Sequence, residues 1–391
     1  MPFPSTATRI GGFFAAAFVS STIGLVHFPL FLAGRGLGGT EIGILVALPL
    51  ALRVATASLL GILADRIGDR RRALALYASL ALLGGVTLWP AQGFPALFVA
   101  TLATWVCWNG ILPVADAVAV TVARAGGGDY GRMRVWGSIS FVATNLAVGG
   151  VVAAGPPEAV LWLLTGGLAL QVAATFWLPA DRVAGRPARE PALVFLRGLA
   201  ADRRLLGLAL GSALLQAAHG TYYTFASLHW RSLGFSGTQT GVLWSIGVIG
   251  EILLFAFAAT ALRAIGARGL ILVGAGGAIL RWTLSAFLDA DFGPWLVVQC
   301  LHAVTFAAVH LGTIHLITAT VEDRRGATVQ GTLTSLIGLT MAGAMVVSGP
   351  LFARFGGGAY LAMTGVAIAG TAMVLVGLNA GPRCAAAPTA S

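Results

Sequence analysis

Apolar residues run along this chain in long blocks, separated by short stretches rich in Gly, Arg, Asp and Pro. An apolar run near or above about 18 residues is the length that crosses a bilayer as a helix. The pattern predicts twelve spans, at 10–33, 42–64, 73–90, 96–122, 135–154, 158–178, 205–229, 240–260, 270–288, 294–319, 330–352 and 358–378. Several contain Gly or Pro, as membrane helices tolerate. The first block starts near Ile10 behind a single Arg9 and is followed by many more. It reads as a retained helix, not as a cleaved signal.

Composition strengthens the picture. Of 391 residues, 57% are hydrophobic and 10% charged, with a mean hydropathy of +0.87, whereas soluble chains carry about a quarter charged residues. The expected fold class is an all-α polytopic membrane protein. The longest polar stretch, 179–204, is rich in Arg, Ala and Pro and divides the spans into two sets of six. The expected domains are therefore an N-terminal six-helix bundle at 1–178, a cytoplasmic linker at 179–204, and a C-terminal six-helix bundle with a short cytoplasmic tail at 205–391. The halves echo each other: Arg66-Ile-Gly68-Asp-Arg70 after span 2 has a looser counterpart, Arg263-Ala-Ile-Gly266-Ala-Arg268, after span 8. Repeated halves that rock about a central site are the basis of alternating access.

A net charge of +10 in a soluble protein would suggest nucleic acid. Here all 24 basic residues are Arg, and most sit in short loops. One set of loops holds Arg9; Arg66, Arg70, Arg71 and Arg72; Arg124 and Arg132; Arg182, Arg186, Arg189, Arg197, Arg203 and Arg204; Arg263 and Arg268; Arg324 and Arg325; and Arg383. The other holds only Arg35, Arg231 and Arg354. Positive charge stays inside, so a multi-pass protein with both termini cytoplasmic is expected, with membrane lipid around it and no nucleic-acid partner. Cys107, Cys300 and Cys384 show no paired spacing, which indicates neither a disulfide framework nor a metal site.

An ionisable residue inside a span is costly and is a functional candidate by default. In the first half these are His27, Arg53 and Asp116, with Arg134 at the edge of span 5. Asp116 and Arg134 lie at similar distances from the ends of consecutive spans, so antiparallel neighbours place them at comparable depth. In the second half they are Glu251 on span 8, Arg281 on span 9, and His302, His310 and His315 on span 10. His302 and His310 are eight residues apart, about 80° around a helix that turns ~100° per residue. His219, close to Tyr222, Tyr223 and Phe225, could line an aromatic pocket, which Trp105, Trp108 and Asn109 on span 4 could face. Such aromatics also serve packing and the membrane interface. His229 and Arg231 read as interfacial.

The loop Gly61-Ile-Leu-Ala-Asp65-Arg66-Ile-Gly68-Asp69-Arg70-Arg71-Arg72 resembles the GxLaDRxGrkr signature of the major facilitator superfamily, with Asp69 where a basic residue is usual. Gly61, Asp65, Arg66, Gly68 and Arg70 then form an expected conformational lock of charge-assisted bonds; a plain positive-inside anchor is the alternative. Three longer stretches, DYGRMRVWGSISF (Asp129 to Phe141), Leu214 to Phe255 and Pro294 to Gly312, resemble the 3-phenylpropionic acid transporter group. That group is similar to the lactose-permease-like and nucleoside proton symporters.

The resemblance implies an acid on helix 4 and an Arg on helix 5 that hold substrate, matched by Asp116 and Arg134. It also implies an acid, an Arg and a His on helices 8, 9 and 10 in a coupling network, matched by Glu251, Arg281 and His302. The second acid of that network, on helix 10, has no counterpart here. Guanidinium suits a carboxylate because its planar fork binds both oxygens. Arg134 is the expected ligand, with Arg53 and Arg281 as competitors, and a structural Asp116–Arg134 pair stands as the alternative. A carboxyl that leaves water between helices favours its protonated form, and a nearby Arg opposes this. Glu251 is thus the expected proton carrier, assisted by Arg281, His302 and His310; a static Glu251–Arg281 pair is the alternative.

These readings imply a secondary transporter that takes up a small aromatic carboxylate with a proton by alternating access, working as a monomer in a bacterial inner membrane. A sugar or nucleoside proton symporter is the first alternative. A drug antiporter is the second, and its GxxxGPxxG-type signature is at best distorted, with Gly155-Pro156 near the far end of span 5. An enzyme would need a convergent nucleophile or metal cluster, and a primary pump a P-loop; the sequence shows no HxxxH spacing and no such loop. No cofactor beyond the coupling proton is expected.

Overall fold

The computed structural model describes residues 5–156, 158–180, 202–318 and 326–380. Most of the expected linker and the tail lie outside them, with Arg182, Arg186, Arg189, Arg197, Arg324, Arg325, Arg383 and Cys384. Twelve helical stretches follow in order among the described residues, with no strand. Span 1 is Thr6–Thr22, a π turn Ile23–His27, and Phe28–Gly34. Spans 2 and 3 are Gly39–Ile67 and Arg70–Thr87, and span 4 is Gly93–Trp108 with Ile111–Arg124. Spans 5 and 6 are Tyr130–Ala154 and Ala159–Trp177. Span 7 is Arg203–Ala217 with Gly220–Ser232, span 8 is Gly237–Ala256, and span 9 is Ala258–Phe287. Span 10 is Phe292–His302, a π turn Ala303–Ala308, and Val309–Thr318; spans 11 and 12 are Gly326–Phe355 and Tyr360–Asn379.

Short polar residues set the starts. Asp69, Asp129, Asp202 and Asp291 each accept backbone N–H bonds from the first turn that follows, at spans 3, 5, 7 and 10. Ser236 and Gln239 do so reciprocally at span 8, which satisfies donors a helix cannot pair internally. Asp129 corrects one sequence expectation: Tyr130, Gly131 and Arg132 are the first turn of span 5, not loop. Gly68 ends span 2 at φ 74°, with its N–H on the Ala64 carbonyl. Gly266 sits at φ 68° and breaks the helical run after span 8. Only glycine takes a positive φ cheaply; ψ is 0° at Gly68 and 170° at Gly266, so the two loops share a glycine of positive φ but not one backbone conformation.

Nine helical stretches among the described residues are long and apolar enough to cross a membrane, one of which, Gly331–Asn379, takes in spans 11 and 12. Span 3 falls short because Arg70, Arg71 and Arg72 occupy its first turn, and span 7 because Gln216, His219, Thr221, Tyr222 and Tyr223 lower the hydropathy of its middle. Trp162, Phe176 and Phe287 are 68–70% exposed, as lipid-facing side chains can be at no cost.

Within the first half, span 1 packs on spans 5 and 6, span 3 on spans 4 and 6, and span 2 on span 4. The second half repeats each pairing six spans on: 7 with 11 and 12, 9 with 10 and 12, and 8 with 10. Between the halves the main contacts are span 2 with span 11 and span 5 with span 8. They are tight at the end that carries Arg35, opposite the arginine-rich end. A Cβ added at Gly43 would lie 2.9 Å from the Met345 carbonyl oxygen, and one at Gly241 2.5 Å from that of Asn145. Gly241→Val therefore opposes this closure. Overpacking of this kind costs about 1–3 kcal/mol, enough to shift the equilibrium roughly tenfold or more toward separated ends. Spin labels at those ends of spans 5 and 8 are expected to report a longer distance.

Candidate functional site

Every third span is interrupted midway. Spans 1 and 10 contain π turns, span 4 breaks at Asn109 and Gly110, and span 7 breaks at Ala218 and His219. Interruptions of this kind free backbone groups and mark functional positions in membrane helices. They surround a cavity of about 520 Å³ that reaches toward the arginine-rich end, where Gly331 and Thr334 are exposed. Its walls are mostly apolar: Leu25, Leu50, Phe306, Ile337, Met341 and Met345 among others. Arg53 supplies charge, and Tyr223, Thr334 and Ser335 supply hydroxyls.

Behind Phe306 and Tyr223 lies a polar network. The Arg281 guanidinium, fully buried, donates to His302 Nδ1 at 2.7 Å, to Thr305 Oγ1 at 3.0 Å and to Gln299 Oε1 at 2.9 Å. A guanidinium only donates, so His302 Nδ1 accepts and its proton sits on Nε2. Nε2 in turn lies 2.7 Å from Glu251 Oε1. The chain of donors thus runs from Arg281 through His302 to Glu251. The Thr305 hydroxyl contacts His219 Nε2 at 3.1 Å, while His219 Nδ1 faces the Gln216 carbonyl at 3.0 Å. His219 therefore carries its hydrogen on Nδ1 and accepts from Thr305. Arg281 also stacks against Tyr222 and Trp282, at 4.7 and 4.5 Å from the ring centroids. A buried charge costs several kcal/mol without partners; here span 10 supplies the three acceptors and spans 7 and 9 the rings.

The π turn aligns this column. One extra residue between His302 and His310 removes most of the 80° offset expected for a regular helix. Phe306 stacks on His302 at 5.6 Å and 16° and on His310 at 6.5 Å and 6°. His310 also meets Phe255 edge-on at 6.4 Å.

The other expected residues are dispersed. Asp116 and Arg134 do meet, at 3.6 Å, and Tyr130 donates to Asp116 Oδ1 at 3.1 Å. Arg134 lies over Phe18 at 4.5 Å and Phe14 at 5.3 Å. Neither Asp116 nor Arg134 is among the described residues that line the central cavity, which Arg53 is. In this conformation the cation that the wall presents is Arg53, which lies within electrostatic reach of Asp116. Trp108 donates to Ser20 Oγ at 3.3 Å, and Asn109 donates to the Pro49 carbonyl at 2.9 Å, so both join helices and do not face the cavity. His219 belongs to the buried network, not to the cavity wall. His27 lines a different cavity, at the opposite end. Glu251 and Arg281 do not form a direct pair; His302 stands between them. Thr305, Gln299 and Tyr130 were missed because nothing in a linear pattern distinguishes them from helix packing.

At the lock, Gly68 and Asp69 shape the turn, and Arg70 donates to Thr121 Oγ1 at 3.2 Å. Asp65 and Arg66 are exposed, and Asp65 makes no ion pair among the described residues. Gly61 has open space where a Cβ would lie. The expected Asp65 lock is not engaged in this conformation, in which the cavity reaches that same end.

Residues 12–361 match the family described as MFS_1 like. The chain belongs to the major facilitator superfamily. It is 30% identical over 376 residues to a probable 3-phenylpropionic acid transporter of Escherichia coli (strain K12), covering 94% of this chain and 97% of that protein. It is similar also to a maltose permease of Geobacillus stearothermophilus, 30% identical over 67% of this chain and 65% of that one. Among solved structures, the nucleoside transporter NupG superposes with a TM-score of 0.84 at 18% identity, covering 97% of this chain and 100% of that chain. This superfamily member is a multi-pass membrane transporter for a small solute, and not an enzyme.

Proposed function

We propose that this transporter takes up a small aromatic monocarboxylate together with a proton, across a bacterial inner membrane whose cytoplasmic side is the arginine-rich end. The cavity wall carries the reading. One guanidinium among aryl, thioether and aliphatic groups suits a solute with an apolar body and a single anionic end. A sugar needs many hydrogen-bonding groups, and this wall offers few. The name of the Escherichia coli relative supports the same class, while NupG supports the fold.

Proton coupling rests on the donor chain from Arg281 through His302 to Glu251, one layer behind the wall. Deprotonated, Glu251 balances Arg281 through the imidazole. A proton on its carboxyl removes that balance, and a carboxylate at Arg53 restores the charge of the region. Solute and proton are therefore held best together, which is the condition for symport. A buried carboxyl that alternates between bonded and wetted states loads and releases its proton as the cavity changes sides. Two bundles that enclose one cavity work as a monomer.

The test is uptake of labelled 3-phenylpropionate, maltose and a nucleoside into vesicles, with and without an imposed proton gradient. Accumulation of the aryl carboxylate alone, dependent on the gradient, is expected. Accumulation of only the neutral solutes would replace this reading with that of a sugar or nucleoside symporter.

A further inference from the structure

A second cavity, of about 180 Å³, lies under the closed end, between His27 of span 1, Gly149 and Val152 of span 5, Ser227 and Arg231 of span 7, and Gly237 and Thr240 of span 8. It has room for roughly six waters at about 30 Å³ each, or for the head of an organic acid. His27 is 1% exposed, and both of its ring nitrogens are buried with no hydrogen-bond partner. Such a group is costly unless something pairs it.

Leu30, Val152 and Phe235 give the lining an apolar part, and its remaining polar side chains are Ser227, Arg231, Ser236 and Thr240. Ser227 Oγ accepts from Trp244 Nε1 at 3.0 Å and Ser236 Oγ from the Gln239 N–H at 3.2 Å, so each hydroxyl hydrogen is left to donate. Arg231, exposed at the rim, makes no ion pair among the described residues and lines the same space. No acidic residue is among the described residues around it. Donors and one cation without a counter-charge define an anion site.

We propose that this cavity is a second binding site for the carboxylate of a small organic acid, held by the His27 ring N–H, the Arg231 guanidinium and the hydroxyls of Ser227 and Ser236. The proposal rests on the carboxylate reading of the solute and extends it: the acid is held first here, at the closed end, and then at Arg53. Ser227 connects this cavity to the buried polar network, because its partner Trp244 meets Tyr222 at a tilt, 4.5 Å between centroids, and the Tyr222 ring lies 5.4 Å from His302.

The experiment is nuclear magnetic resonance of the full chain in lipid nanodiscs with ring-¹⁵N histidine, titrated with benzoate and, separately, with chloride. The His27 signal is the one lost in His27→Gln; the remaining histidine signals report that each variant is folded. Benzoate is expected to move the His27 signal to saturation in the wild type and equally in Arg53→Gln, whose central cavity lacks its cation. Arg231→Gln should raise the half-saturating benzoate about tenfold, the usual cost of losing a charged hydrogen bond, and chloride should leave the signal in place. No movement in Arg53→Gln, equal movement by chloride, or an unchanged half-saturation in Arg231→Gln overturns the site. Failure of the uptake reading is separate: a His27 response with no carboxylate transport would remove the substrate assignment and leave the anion site standing.

Discussion

Glu251→Gln abolishes accumulation of solute driven by a proton gradient but preserves exchange of labelled for unlabelled solute. One pH unit is worth about 1.4 kcal/mol per proton and sustains about tenfold accumulation at a stoichiometry of one; in the variant the ratio is expected to fall to unity. The amide keeps an oxygen that can accept from His302 Nε2, now 2.7 Å from the carboxylate, so the column of rings on span 10 stays in place. It cannot take up or release the proton. Counterflow isolates the difference, because exchange requires the halves to rock but requires no net proton movement. If Glu251→Gln still concentrates solute against a gradient, the proton is carried elsewhere and the donor chain is only structural. Arg281→Gln should behave differently: it removes the cation that fixes the His302 tautomer and bonds Thr305 and Gln299, and breaking such a buried set costs about 3–5 kcal/mol of stability.

Arg53→Gln weakens binding of an aryl carboxylate roughly 30- to 150-fold, the loss expected of a charged, forked contact worth about 2–3 kcal/mol. Arg134→Lys is expected to change that affinity by less than about threefold, because Arg134 is already held by Asp116 and by two aromatic rings and does not line the central cavity. Equilibrium binding of labelled solute to detergent-solubilised protein separates the two. The reverse order of effects would put the ligand at span 5 and remove the assignment of the cavity wall. A loss confined to transport, with binding intact in Arg53→Gln, would make that residue part of the conformational cycle.

The two arginines of DYGRMRVWGSISF show how far a linear reading reaches. Their crossing from polar to apolar sequence marks a helix start, and the start is there, but five residues earlier than apolarity alone suggests, because Asp129 caps the first turn. The meeting of Asp116 with Arg134 was legible from antiparallel depth. Which cation faces a ligand was not, since orientation around a helix in a bundle depends on neighbours that a single span does not reveal. His302 and His310 make the same point: their register depends on a π turn inside span 10, and no residue in Ala303–Ala308 announces one.

Sequence by itself determined twelve membrane spans in two echoing halves with an arginine-rich face, because apolar run length and loop charge answer to the membrane, a solvent common to the whole chain. It also named the buried ionisable groups, since each is costly wherever it points. Tertiary structure alone decided how they are wired: His302 between Arg281 and Glu251, Arg53 and not Arg134 on the cavity wall, and His27 in a separate cavity at the closed end. The bonds that join Arg281, His302 and Glu251, and the cavities, form between helices; a hydrogen bond needs its partners about 3 Å apart, and which faces come that close is set by interruptions and glycine contacts.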